Sequence, residues 1–150
     1  MASIFEINDR MARINVELLA VQAIEENESD IVERNQEQLS RGTDNSGKKI
    51  KPKYKSKAYS KRKNKLNSAA GFGTPDLKVT GDLYSEIGIT IEGQGMDTDV
   101  ITTSFNEKMK YPSIQQYLPN VFGLNKKNQA ANRAKNNATL IRNFKTQAGL

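Results

Sequence analysis

The chain has 150 residues, enough for one domain, and contains no cysteine, histidine or tryptophan. Those absences exclude a disulfide framework, a Cys/His zinc site, a thiol nucleophile and a Ser-His-Asp triad. Hydrophobic residues make up 36% and the net charge is +6, so a modest core is expected, with the chain either partly disordered alone or completed by neighbours.

The charge is segregated along the chain. Residues 1–40 carry net −6, 41–66 carry +10, 67–124 carry −4 and 125–150 carry +6. Opposite blocks of this kind pair within a molecule or between neighbouring ones.

At the N-terminus Ile4, Ile7, Met11, Ile14, Leu18 and Val21 recur at alternating three- and four-residue steps, which places them on one helical face. Ile24, Ile31, Val32 and Leu39 continue the stripe, and Gly42 follows as a stop. The pattern predicts one long helix over residues 8–40, kinked near Asn27–Asp30. At about 1.5 Å per residue such a helix is about 50 Å long, more than a small domain covers, so part of it, with this stripe, is expected to protrude or to pack on another subunit; the alternative is a helix that folds back on its own sheet at a break near Glu28.

Residues 42–53 are rich in Gly, Asp, Asn, Ser and Pro and read as loop. Within 41–70, an extended basic loop, stand Lys48, Lys49, Lys51, Lys53, Lys55, Lys57, Lys61, Arg62, Lys63 and Lys65, interleaved with Tyr54 and Tyr59. Such a run contacts phosphates strongly and with little sequence preference, and its tyrosines suit base stacking. The alternative is that these lysines face the acidic blocks of a neighbour or merely solvate a loop. Lys57–Leu66 reads as a short helix weakened by lysine repulsion, and 41–70 is expected to order only on assembly.

Residues 67–76 are again loop. Ile87, Ile89 and Ile91 alternate with Gly88, Thr90 and Glu92, and Val100–Phe105 is rich in β-branched residues. They predict an antiparallel hairpin with Ile87/Ile89/Ile91 and Ile101/Phe105 as core faces, extended to a small sheet by residues 77–80 or by a neighbour. Ser113–Leu118 reads as a helical turn. Lys127–Gln147 reads as a C-terminal basic helix with Ala130, Ala134, Ala138, Ile141 and Phe144 as its apolar stripe. The expected class is thus α+β: a long N-terminal helix, a small antiparallel sheet around a hairpin, and a C-terminal helix.

No constellation points to catalysis. Gly71-Phe72-Gly73 lacks the third glycine of a dinucleotide motif, and Gly42–Lys49 does not match a P-loop. Neither an enzymatic activity nor a cofactor is expected. No apolar run approaches the ~18 residues of a membrane span, and the first residues lack the pattern of a secretory signal.

Residues 35–125 resemble the virion-morphogenesis or tail-completion proteins of tailed bacteriophages. The resemblance lies in the order of features. Asp44-Asn45-Ser46-Gly47 leads into a Tyr/Lys-rich stretch, and Asp76-Leu77-Lys78-Val79-Thr80-Gly81-Asp82-Leu83-Tyr84 forms a central motif. A hairpin follows, then Tyr111-Pro112-Ser113-Ile114-Gln115-Gln116-Tyr117 and Val121-Phe122-Gly123-Leu124. The motif positions are Leu77, Thr80, Gly81, Leu83, Tyr84, Tyr111, Gln116 and Phe122, with Thr80 or Asp82 capping a short helix. The family's His-Gln-Phe-Gly turn is replaced here by Gln115-Gln116-Tyr117.

The resemblance implies a structural protein of the head–tail junction, assembled in the host cytoplasm. It implies a sixfold or twelvefold homo-oligomeric ring between portal or adaptor proteins and tail-hub or tail-tube proteins. Such a ring surrounds the channel through which genomic DNA passes, and the basic loop is a candidate for non-specific contact with it. The competing reading is a small basic nucleic-acid-binding protein.

Overall fold

The structure, a computed structural model, describes residues 2–78, 81–92, 99–101, 118 and 120–150. Six helices occur among them: α1 (Ile4–Ala12), α2 (Val16–Glu26), α3 (Glu28–Ser40), α4 (Lys57–Leu66), the four-residue α5 (Asp82–Ser85) and α6 (Lys126–Ala148). The β structure amounts to two three-residue segments, β1 (Thr90–Glu92) and β2 (Asp99–Ile101), aligned antiparallel with Ile91 opposite Val100.

The expected α+β class is therefore corrected. The molecule is mostly helical, and among the described residues no β-sheet carries the core. Of the expected hairpin core face, Ile87 precedes β1 and is buried, whereas Ile89 and Ile91 are half-buried. Leu77 and Lys78 form no strand. The expectations for Phe105 and for a helical turn from Ser113 fall outside the described residues.

The long N-terminal helix is also corrected, because polar caps divide it into three. Ser3 and Glu6 form a capping box at the start of α1. Asn15, inside the expected helix, caps α2 through an Oδ1 that accepts from the Leu18 amide at 3.0 Å. Asn27 closes α2 and opens α3 near the anticipated kink. Its side chain donates to the Ala23 carbonyl at 2.8 Å and to Thr139 Oγ1 at 3.0 Å on α6.

The main core joins Leu39 of α3, Ile50, Leu83 and Tyr84 of α5, Ile87, Val121 and Phe122. A second contact layer is formed where α2 and α3 lie on α6. Leu19 and Ala23 are buried on the α2 side, facing an α6 whose buried residues are Asn132, Thr139 and Ala148. This corrects the apolar stripe assigned to the C-terminal helix. Ala130, Ala134, Ala138 and Ile141 face solvent and Phe144 is half-buried, while the inward face is largely polar. That face makes hydrogen bonds to α2 and α3: Asn132 Nδ2 donates to Asp30 at 3.2 Å and Asn143 Nδ2 to Glu26 at 2.7 Å.

Residues 41–70 are folded onto the body. Gly42, at φ +63°, turns the chain out of α3. Asp44 Oδ1 then gathers the Ser46 amide at 2.9 Å and the Lys48 amide at 2.9 Å. The Ile50 amide donates to the Gly42 carbonyl at 2.9 Å and delivers the Ile50 side chain to the core. The Tyr54 amide donates to the Gly73 carbonyl at 2.8 Å.

Candidate interaction surfaces

The central motif is organised around Asp76, which is almost fully buried. Leu77 follows it with φ +55°, a left-handed conformation costly for a leucine, and so the Lys78 amide reaches back to Asp76 Oδ1 at 3.2 Å. The same oxygen meets Lys63 Nζ of α4 at 2.7 Å, with side-chain exposures of 9% and 3% for Lys63 and Asp76. Asn67 Nδ2 donates to Asp76 Oδ2 at 3.0 Å and to the Ser40 carbonyl at 2.6 Å. Tyr84 Oη donates to the Asp76 carbonyl at 2.6 Å. Burial pushes the Asp76 carboxyl upward, but Lys63, Asn67 and the Lys78 amide outweigh it and hold the group below its ordinary value. Burial, with the nearby Asp76 charge, raises the Tyr84 phenol well above its ordinary value.

The motif positions divide accordingly. Leu83, Tyr84 and Phe122 lie in the core and Leu77 packs against it. Gly81, at φ +101°, occupies the N-cap position of α5, and Asp82 is the first residue of the helix, not its cap. Thr80, Tyr111 and Gln116 are outside the described residues.

The basic segment does not act as one unit. Lys63 is consumed by the Asp76 pair. Lys49 Nζ donates to the carbonyls of Arg41 at 2.6 Å and Ala70 at 2.9 Å, stapling the 42–50 turn to the 67–73 loop. Lys48, Lys51, Lys53, Lys55, Lys57, Lys61, Arg62 and Lys65 are exposed, and no salt bridge joins them to a described carboxylate. Tyr54 and Tyr59 pack edge-to-face with ring centroids 4.8 Å apart, and the Arg62 guanidinium lies 5.7 Å from the Tyr59 ring centre. Burial, assisted by Asp76, pushes the Tyr54 phenol up to about 12. An open cavity of about 510 Å³ separates Lys48, Lys49 and Lys51 from Leu118, Asn120 and Val121.

The N-terminal stripe is the other surface. Ile7, Ile14 and Val21 are half-buried, whereas Ile4, Met11 and Leu18 are exposed. Exposure is largest at Ile4 (77%) and Phe5 (78%), and both Val16 (51%) and Leu18 (53%) remain half uncovered. No residue of α1 is fully buried.

Sequence reasoning missed Asp76, Phe5 and Val16. A signal for Asp76 existed: it is the sole acidic residue between Asp44 and Asp82, directly after the cationic run. Among the described residues no cluster of His, Cys, Asp or Glu is arranged to hold a metal, and no helix is long and apolar enough to cross a membrane. Comparisons with protein-family models, with curated proteins and with solved structures find no match for the chain.

Proposed function

We propose that this chain is a structural virion protein of a tailed bacteriophage, a neck or tail-completion subunit. In this reading it forms a ring at the head–tail junction and joins portal-side adaptors to tail proteins around the DNA channel. The sequence resemblance of residues 35–125 gives the reading its direction. The observation that carries it structurally is the uncovered apolar surface of α1 and the start of α2, with Ile4, Phe5, Val16 and Leu18 all at least half exposed.

A nine-residue helix is not stable alone in water. α1 is well capped, yet it buries no residue fully in its own subunit, so contact with a neighbour supplies what it lacks. One subunit's apolar patch on a different patch of the next is the heterologous contact that closes into rings.

The test compares wild type with a Phe5→Glu/Leu18→Glu variant by mass photometry and by electron microscopy of assembled particles. Wild type is expected to form concentration-dependent closed oligomers and to occupy a ring in the particle. The variant is expected to stay monomeric with an unchanged unfolding midpoint, since both side chains are exposed. A wild-type chain that stays monomeric and never enters particles overturns the reading. The second reading, a monomeric nucleic-acid-binding factor, is favoured by the nine exposed cations from Lys48 to Lys65. It requires tight, nanomolar binding by that monomer.

A further inference from the structure

We propose that the outward face of α4, with the chain leading into it, is a phosphate-contacting surface for duplex DNA that grips the backbone and does not read bases. Lys57, Lys61 and Lys65 stand at four-residue spacing, about 6 Å apart along the helix axis. Arg62 lies beside them, and Lys51, Lys53 and Lys55 precede the helix.

Like charges at this spacing destabilise a helix, and no described carboxylate pairs with any of these residues. The helix is instead secured from its inner side. Ser56 Oγ accepts from the Tyr59 amide at 3.2 Å, Lys63 is locked to Asp76, and Asn67 ties the end of α4 to Ser40. A fixed array of mutually repelling cations is relieved by a polyanion that neutralises several of them together.

Two observations narrow the partner. Tyr54 and Tyr59 are half-buried and already engaged with each other and with Arg62. They are not free to stack on unpaired bases, which removes the means by which single strands are usually held. The second is where the molecule's charge is left unbalanced. Asp30 pairs with Lys135 and Glu26 with Arg142, joining the first acidic block to the last basic one within the subunit. Two of the six cations of the last block are paired in this way, and the densest remaining run of exposed cations without a described carboxylate partner is residues 48–65. Protein interfaces are depleted in lysine at their centres, so an acidic protein surface fits this lysine-dominated face less well than a phosphate backbone does.

The proposal is compatible with the ring reading and does not rest on it. Fluorescence anisotropy on the full chain, with an about 20-base-pair duplex of random sequence and the matching single strand, tests it between about 50 and 200 mM salt. Binding is expected in the micromolar range, with a log–log salt slope of about −5 if about six phosphates are neutralised. Changing the duplex sequence is expected to alter affinity by less than about threefold. A Lys57→Glu/Lys61→Glu/Lys65→Glu variant is expected to lose at least about 30-fold in affinity with an unchanged unfolding midpoint, and a Lys126→Glu/Lys127→Glu control to change far less. Unchanged affinity in the triple variant overturns the proposal, as does a single strand bound about tenfold tighter than the duplex. So does a triple variant that loses self-association while keeping DNA affinity, which would make the partner a second copy of this chain.

Discussion

Gly42 and Gly47 both adopt positive φ, at +63° and +81°, in one loop, but they do so in different surroundings. A Cβ on Gly42 would lie 2.6 Å from Thr74 Cγ2 and 3.1 Å from the Pro75 carbonyl, whereas one on Gly47 would meet nothing within 4 Å. Gly47→Ala carries the left-handed penalty alone, about 1 kcal/mol. Gly42→Ala adds a clash with the Thr74 methyl and a tight contact with the Pro75 carbonyl, and is expected to cost about 3 kcal/mol or more. Urea unfolding of the two variants checks this, and equal losses would mean that the loop is not packed on residues 70–75. Asp30 sets a second expectation. The bond from Arg34 Nε at 2.7 Å holds its carboxyl down to about 2 against the opposing effect of burial, with help from Asn132 and Lys135. A lowered carboxyl stabilises the fold above the ordinary value of 3.8, and that stabilisation is lost as pH falls through about 2. Asp30→Asn is therefore expected to cost about 2 kcal/mol at neutral pH, with the gap from wild type closing below about pH 4 in thermal melts monitored by circular dichroism. A gap that stays constant to pH 2 would contradict the role given to Arg34.

At the scale of elements, the folded 41–70 segment makes a direct statement about exchange. The Ile50 and Tyr54 amides, bonded to the Gly42 and Gly73 carbonyls, are expected to show hydrogen-exchange protection in isolated monomer. Exchange there as fast as at the open tip of the turn would return this segment to the class that orders on assembly. What the sequence reveals at this scale depends on whether the governing signal is local. The bounds of α4 were legible because Ser56 and Asn67 flank an uninterrupted run, and those of α6 because no Pro or Gly interrupts residues 127–147. The break at Asn15 was not, because an asparagine that caps a helix and one inside it look alike to a count of apolar periods. The inward face of α6 escaped for a related reason. Asn132 and Thr139 are buried through hydrogen bonds to α3 and to Asn27, more than a hundred positions earlier, and a polar interface leaves no hydrophobic period to read. The candidate surfaces divide in the same way. The cationic run and the N-terminal stripe stand in the sequence, but nothing local distinguishes Lys63 from its neighbours, since its role is set by Asp76 across the fold.

For the whole molecule, the segregated charge proves to be partly internal. The first and last blocks meet between α2–α3 and α6, through Asp30 with Lys135 and Glu26 with Arg142, and the middle basic block keeps its excess on an exposed face. The α2–α6 contact has a further consequence for synthesis on the ribosome. Asn27 and Thr139 are 112 residues apart, a distance translated in on the order of ten seconds at about 5–20 residues per second. Throughout that interval Leu19, Ala23 and the Asn27 amide have been made and α6 has not. The opening helices therefore wait uncovered until the closing one emerges.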